Sequence, residues 1–261
     1  VGFSAVISAT LLQATTNVNK VFPNLAEFPV IGAIIIVMIV GMIIGSINGL
    51  IVAKLNVHPF IATLGMMTIV YGVNSLYYDY VGASPISGFS KSYSSFAQGY
   101  IGTPSFNMSY LIIYAAIATA IMWILWNKTK FGKNVFAVGG NPEAARVSGV
   151  NVAWTLVKIY ALSGMYYAFG GLLEAGRIGS ATNNLGNMYE MDAIAACVIG
   201  GVSFYGGVGK ISGVITGVII LTVINYGLTY VGVSPYWQYI IKGMIIVAAV
   251  AFDAIKYSKK K

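Results

Sequence analysis

From Val30 to Ala53 the chain runs without a single charged residue. As an α-helix, this run of about 24 residues would be roughly 36 Å long, more than the ~30 Å hydrocarbon core of a bilayer. No water reaches that core to satisfy an exposed amide, so an apolar run of this length is a membrane-spanning helix. Lys54 follows at once and marks that end as cytoplasmic.

The rest of the chain reads in the same terms. Hydrophobic residues make up 57 % and charged residues 8 %, against about 25 % charge in an ordinary soluble domain. Val1–Thr15 is apolar but short for a span. Leu55–Tyr78 is free of charge and interrupted by Pro59, Gly65 and Gly72. Tyr110–Trp126 closes on Trp123 and Trp126, and Trp154–Leu173 carries Lys158 near its start. Ala193–Gly209 holds Gly200, Gly201, Gly206, Gly207 and Gly209, which predicts a short, broken span. Ile211–Val233 and Trp237–Ile255 complete the set. The expectation is an all-α, polytopic transmembrane helical bundle of about eight helical segments, with both ends of this stretch inside.

The charges agree with that path. Lys54, Lys128, Lys130, Lys133, Arg146, Lys210, Lys256 and Lys259–Lys261 fall in segments assigned to the cytoplasm, while Lys20, Lys91 and Arg177 fall outside. Lys158 and Lys242 sit in helix ends and can snorkel. This asymmetry, not nucleic-acid binding, accounts for the net charge of +8. Gln13–Phe28, Asp79–Met108 and Glu174–Asp192 are polar connections expected outside. Glu174 and Arg177 can pair there or meet a partner. A weak echo between Ile47–Val70 and Ile224–Val247 suggests inverted repeats; chance similarity of apolar segments is the rival explanation.

The cytoplasmic break at Asn127–Asn151 contains a compact helix signal. Asn141 is a good N-cap, Pro142 suits the first helical position, and Glu143 favours the positive end of the helix dipole. Ala144 and Ala145 propagate the helix, Arg146 lies three residues after Glu143, and Gly149 can end it. So short a helix is unstable alone in water. It is either a loop helix packed on its own protein or a docking element for a cytoplasmic partner.

Catalytic chemistry is thin. GGVGKIS (Gly206–Ser212) approaches a phosphate-binding loop, but Phe204 stands where the leading glycine belongs and Ile211 follows Lys210. His58 has no companion ligand, and Cys197 lies in an apolar run as a small core residue. No catalytic residue, metal site or cofactor site is assigned, which disfavours an embedded enzyme.

Four passages carry a resemblance. Pro59–Gly72 (PFIATLGMMTIVYG), Gly139–Val152 (GGNPEAARVSGVNV), Leu162–Gly186 (LSGMYYAFGGLLEAGRIGSATNNLG) and Ala196–Val214 (ACVIGGVSFYGGVGKISGV) resemble the permeases of ABC-type sugar importers. The resemblance covers essentially the whole chain and is closest to the galactose/methyl-galactoside branch of the ribose/galactose class. Glu143-Ala144-Ala145, three residues, then Gly149 is similar to the E-A-A-x3-G cytoplasmic loop of these permeases. The I-x-L-P ending of the wider signature is absent, since Tyr160-Ala161-Leu162 follows Ile159.

The resemblance implies a single permease domain over 1–261, lacking an N-terminal part of the family, and about ten helices in full. It implies a coupling loop at 127–151, a cytoplasmic ABC ATPase subunit that uses the ATP, an external sugar-binding protein, and a second permease copy. It also implies a bacterial inner-membrane location with a cytoplasmic C-terminus. Asn48, Asn74, Tyr77, Tyr166 and Asn225, polar groups within apolar helices, become candidates for the sugar pathway, because amides hydrogen-bond hydroxyls and aromatic faces stack on pyranoses. Helix-to-helix hydrogen bonding explains any one of them equally well. A secondary transporter driven by an ion gradient is the alternative; it needs buried carboxylates, for which Asp192 and Asp253 are nearest.

Overall fold

The computed structural model describes residues 1–103 and 106–258. The chain passes from α1 (Gly2–Leu11) through α2 (Val30–Leu55) and α3 (Pro59–Tyr80) to β1 (Ile86–Ser87) and α4 (Lys91–Gln98). A hairpin of β2 (Tyr100–Thr103) and β3 (Phe106–Ser109) leads into α5 (Tyr110–Lys128), then α6 (Lys130–Gly140) and α7 (Pro142–Val147). The remainder is α8 (Val152–Ile178), β4 (Ser180–Ala181), α9 (Tyr189–Ile199), α10 (Ile211–Tyr230) and α11 (Pro235–Ser258). Among the described residues, α2, α3, α5, α8 and α10 are long and apolar enough to cross a membrane. The expected segments all appear, α1 and α9 as short helices. Lys259–Lys261 lie outside the described residues, as do the side chains of Asp253 and Lys256.

The chain divides into two packing units. The first holds Val1–Ala118 and Ala153–Asn187. Lipid offers no hydrophobic drive between helices, so close backbone approach at small residues must hold them. Gly41, Gly45 and Gly49 line one stripe of α2 against Val157, Tyr160, Gly164 and Ala168 of α8. A β-carbon on Gly45 would collide with the Tyr160 carbonyl, and one on Gly164 with the Gly41 carbonyl.

At one end of this unit, the close of α1, the start of α2 and the ends of α3 and α8 meet under a folded cap. Gln13 bridges to Phe89, and its Nε2 donates to the Ser87 carbonyl at 3.0 Å. β1 pairs with β4 antiparallel, Ile86 opposite Ala181. The Ser90 side chain caps α4, and the fully buried Tyr93 donates its hydroxyl to the Leu172 carbonyl. Burial pushes the Tyr93 phenol well above its ordinary pKa, so it stays a neutral donor. The polar segment expected as an outer connection is therefore ordered structure that buries its own aromatic ring.

The second unit holds Thr119–Val152 and Met188 onward. Its centre is α9, with Ala195, Ala196 and Leu221 buried together and Ile199 and Ile246 packed on them. Gly200 and Gly213 touch backbone to backbone, and Gly217 of α10 abuts the Ala196 carbonyl. At about 16 Å, α9 covers only half a bilayer core. The non-helical stretch after Ile199 confirms the expected break in this span.

Three boundaries correct the sequence reading. α8 continues to Ile178, so Glu174 and Arg177 belong to its last turns; their forked ion pair, 2.7 and 2.8 Å, holds the helix together there. The expected loop at 127–151 contains a second helix, α6, started by Thr129, whose side chain accepts from Gly132 N at 3.2 Å. α9 begins at Tyr189, within what was expected to be an outer connection. The two echoing passages share a local construction in their own units: a helix, a left-handed residue (Asn56, φ 51; Gly232, φ 78), then a proline-started helix.

The α2–α8 contact generates a test. Gly45→Val should wedge the helices apart and destabilise the fold by about 1–3 kcal/mol or more, seen as lower membrane abundance and a lower unfolding temperature in detergent. Gly65→Val, where nothing lies within 4 Å of an added β-carbon, should be tolerated. Equal behaviour of the two variants would refute the close contact.

Candidate functional site: the α6–α7 loop and the polar groups within the helices

α7 forms as its sequence signals. Asn141 accepts from Ala144 N at 3.0 Å through its side chain, and Pro142 occupies the first turn. At the other end Gly149 adopts φ +83, its N–H bonds the Arg146 carbonyl, and Val150 N bonds the Ala145 carbonyl, both at 3.0 Å. This crossed pair is the glycine-terminated helix stop that a residue with a β-carbon resists. Ala145 is the buried residue of α7. Pro142, Glu143, Ala144, Arg146, Val147, Ser148 and Gly149 face outward, and Val147 is 89 % exposed.

Glu143 and Arg146 meet at 3.6 Å with side chains 78 % and 69 % exposed. An exposed pair like this contributes about 0–1 kcal/mol to stability. The surface around it thus offers one acid, one base and one bare apolar side chain on a helix stopped cleanly at both ends. Such a surface is suited to a partner's groove.

α6 supports α7. The corner before it is tight: a β-carbon on Gly132 would collide with the Trp126 carbonyl, and Lys128 lies 5.5 Å from the Trp123 ring centre. In its last turn, Gly139 and Gly140 lie against Gly206 and Gly207, again backbone to backbone. The glycine-rich run that approached a phosphate loop in sequence is thus partly used as a packing turn.

The polar groups inside the helices separate into two kinds. Tyr77 donates to Thr10 Oγ1 at 3.2 Å, and Tyr71 to Asn184 Oδ1 at 3.0 Å. Tyr166 donates to the Ala118 carbonyl at 3.3 Å. These hydroxyls join elements of the first unit. Asn74 is 2 % exposed; its Nδ2 donates to the Asn183 carbonyl at 3.1 Å, while its Oδ1 is buried without a hydrogen-bond partner among the described residues. Asn48 Oδ1, Ser75 Oγ and Asn225 Oδ1 are left the same way. A buried unsatisfied acceptor costs about 1–3 kcal/mol, so these atoms are the ones with capacity to receive a hydroxyl. Asn48, Asn74 and Ser75 belong to the first unit and Asn225 to the second.

One constellation escaped the sequence reading. Lys242 of α11 reaches Asp192 in the first turn of α9 at 2.6 Å, with side chains 16 % and 35 % exposed. Asp192 Oδ1 accepts no directed hydrogen bond, so the contact is an ion pair by proximity. The available signal was a lone lysine in an apolar run and a lone aspartate before another, each needing an opposite charge.

Comparison with known proteins is consistent with this geometry. Residues 1–250 match the model of a family described as branched-chain amino acid transport system / permease component. The galactose/methyl galactoside import permease protein MglC of Salmonella typhimurium is 69 % identical over 100 % of this chain and 78 % of its own length. The ribose import permease protein RbsC of Bacillus subtilis is 41 % identical over 80 % of this chain and 63 % of its own. The fructose import permease protein FrcC of Rhizobium meliloti is 39 % identical over 87 % and 63 %. No solved structure matches. With its membrane-length helices and a match over nearly its whole length, the chain belongs to this family of transport permease components, a multi-pass membrane protein that is a transport subunit and not itself an enzyme.

Proposed function

We propose that this chain is the membrane-spanning subunit of an ATP-binding cassette importer that moves galactose, methyl-galactoside or a related monosaccharide such as ribose into the cytoplasm. The observation that carries the reading is 69 % identity to a galactose/methyl galactoside import permease across all of this chain. ATP is then hydrolysed on a separate cytoplasmic subunit, an external binding protein delivers the sugar, and two permease copies form the pathway. The protein sits in a bacterial inner membrane, residues 1–261 act as one permease domain, and the C-terminus is cytoplasmic. The gathering of four helix ends under the α4 cap supports this topology, because the loop charges put all four on the outer side.

The ATPase contact in this reading is α7, held by Asn141, Pro142 and Gly149, with Glu143, Ala144, Arg146 and Val147 toward the partner. Asn48, Asn74 and Asn225 border the sugar path through their unpaired oxygens, with Tyr77 and Tyr166 beside it, their hydroxyls tying α3 to α1 and α8 to α5. An ion-driven carrier needs a carboxylate free to load and release its ion; Asp192 is instead committed to Lys242.

Reversing both charges of α7 (Glu143→Arg with Arg146→Glu) keeps their mutual pair and inverts what a partner sees. Pull-down of the ATPase subunit should fall sharply at normal membrane abundance of the permease. Full association and full transport would refute the docking role.

For the pathway, Asn74→Leu should lower galactoside uptake by about tenfold, the equivalent of roughly 1.4 kcal/mol, with the ATPase still bound. Uptake at the normal rate would leave Asn74 as a helix-joining residue only.

A further inference from the structure

The contact between α6 and the turn after α9 lies on a continuous path inside the second unit. At its entrance a single residue, Asn141, separates α6 from α7. At the end of α6, Gly139 and Gly140 present bare backbone to Gly206 and Gly207. A β-carbon on Gly139 would come within 2.7 Å of the Gly207 amide nitrogen, and one on Gly207 within 2.7 Å of the Gly140 Cα. Backbones in such contact cannot slide without pushing each other.

The turn is stiff and joined directly to α9. Ser203 N bonds the Val208 carbonyl at 3.1 Å, and Gly206 N bonds the Ser203 carbonyl at 3.2 Å. Gly201, φ +80, bonds the Val198 carbonyl, and Val202 N bonds the Cys197 carbonyl, the same crossed stop that ends α7. Displacement of the turn is therefore displacement of the foot of α9.

α9 is built to respond as a short lever. Its body packs on Leu221 of α10 and Ile246 of α11 through Ala195 and Ala196, and its end closes on Gly213 and Gly217 of α10. Its far end carries in addition the ion pair of Asp192 with Lys242 of α11. Packed on both neighbours in this way, α9 moves as one body when the turn at its foot is displaced.

We infer that the Gly139–Gly140 contact with Gly206–Gly207 transmits movement of α7 to α9, making Gly139 a positioning residue for coupled transport. This rests on the reading of α7 as the ATPase contact. Gly139→Ala is the clean probe, since alanine is the better helix former and leaves α6 at least as stable while forcing the turn away. Gly140→Ala is its control: the added β-carbon would stand 4.0 Å from the Gly207 Cα, an ordinary contact.

The experiment uses the complete importer, with the galactose-binding protein and ATPase subunit, in proteoliposomes. It measures ATP hydrolysis with and without galactose-loaded binding protein, uptake per mole of complex, and ATPase retention. Gly139→Ala should lower sugar-stimulated hydrolysis and uptake by roughly fivefold while basal hydrolysis and ATPase retention match the parent; Gly140→Ala should behave as the parent. Normal stimulation in Gly139→Ala overturns the inference, and so does loss of ATPase retention, which would make the contact a docking support. The α7 charge-reversed variant runs alongside. If it keeps ATPase and coupling, the α7 reading itself has failed; if it loses them while Gly139→Ala stays normal, only the transmission contact has failed.

Discussion

Backbone touching backbone at glycine is the interaction on which this molecule depends. In lipid, leucine against leucine gains little over leucine against an acyl chain, so helix association rests on close van der Waals contact. The contact recurs: α2 on α8 through Gly41, Gly45 and Gly164; α9 on α10 through Gly200, Gly213 and Gly217; and α6 on the turn at Gly206 and Gly207. Elsewhere the same residue type has nothing near it, as at Gly65, Gly72 and Gly243. The crowded glycines of α2, α8, α9 and α10 mark where those helices meet, and Gly65, Gly72 and Gly243 stand where no neighbour comes close.

Once helices are held that way, polar side chains acquire restricted roles. Tyr71, Tyr77 and Tyr93 reach partners far along the chain and fasten the first unit near its capped end. Asn48, Asn74 and Asn225 keep an acceptor unfilled in an apolar environment, a cost a fold tolerates where function uses the group. Asp192 and Lys242 neutralise each other at the start of a helix too short to span. Helix frames closed at glycine, a few hydroxyl-receptive groups and a half-length helix suit the transport role proposed above.

Local signals were legible in the amino-acid sequence and distant ones were not. α2 could be read because nothing but a membrane span accommodates so long an uncharged run. α7 could be read to its ends because Asn141, Pro142 and Gly149 act within one turn of themselves. α4 was hidden because Tyr93 is buried by Leu172 and Gly176, far along the chain, inside a segment rich in serine and glycine. α6 was hidden for a similar reason, since the partner of its glycine end is the turn after α9. The end of α8 was placed too early because Glu174 and Arg177 looked like loop charges, although their pairing at helical spacing extends the helix. In the candidate site, the amides were found by their polarity in apolar runs. The Asp192–Lys242 pair needed the fold to bring its halves together.

Import in the proposed function is driven by ATP hydrolysed on a separate subunit. Labelled methyl-galactoside uptake into proteoliposomes tests it most directly, comparing the permease alone with the permease joined to its ATPase and binding protein. Uptake is expected only by the assembled importer, only with ATP enclosed on the ATPase side, and unchanged when H⁺ and Na⁺ gradients are dissipated. Uptake by the permease alone that collapses with an ionophore would contradict it.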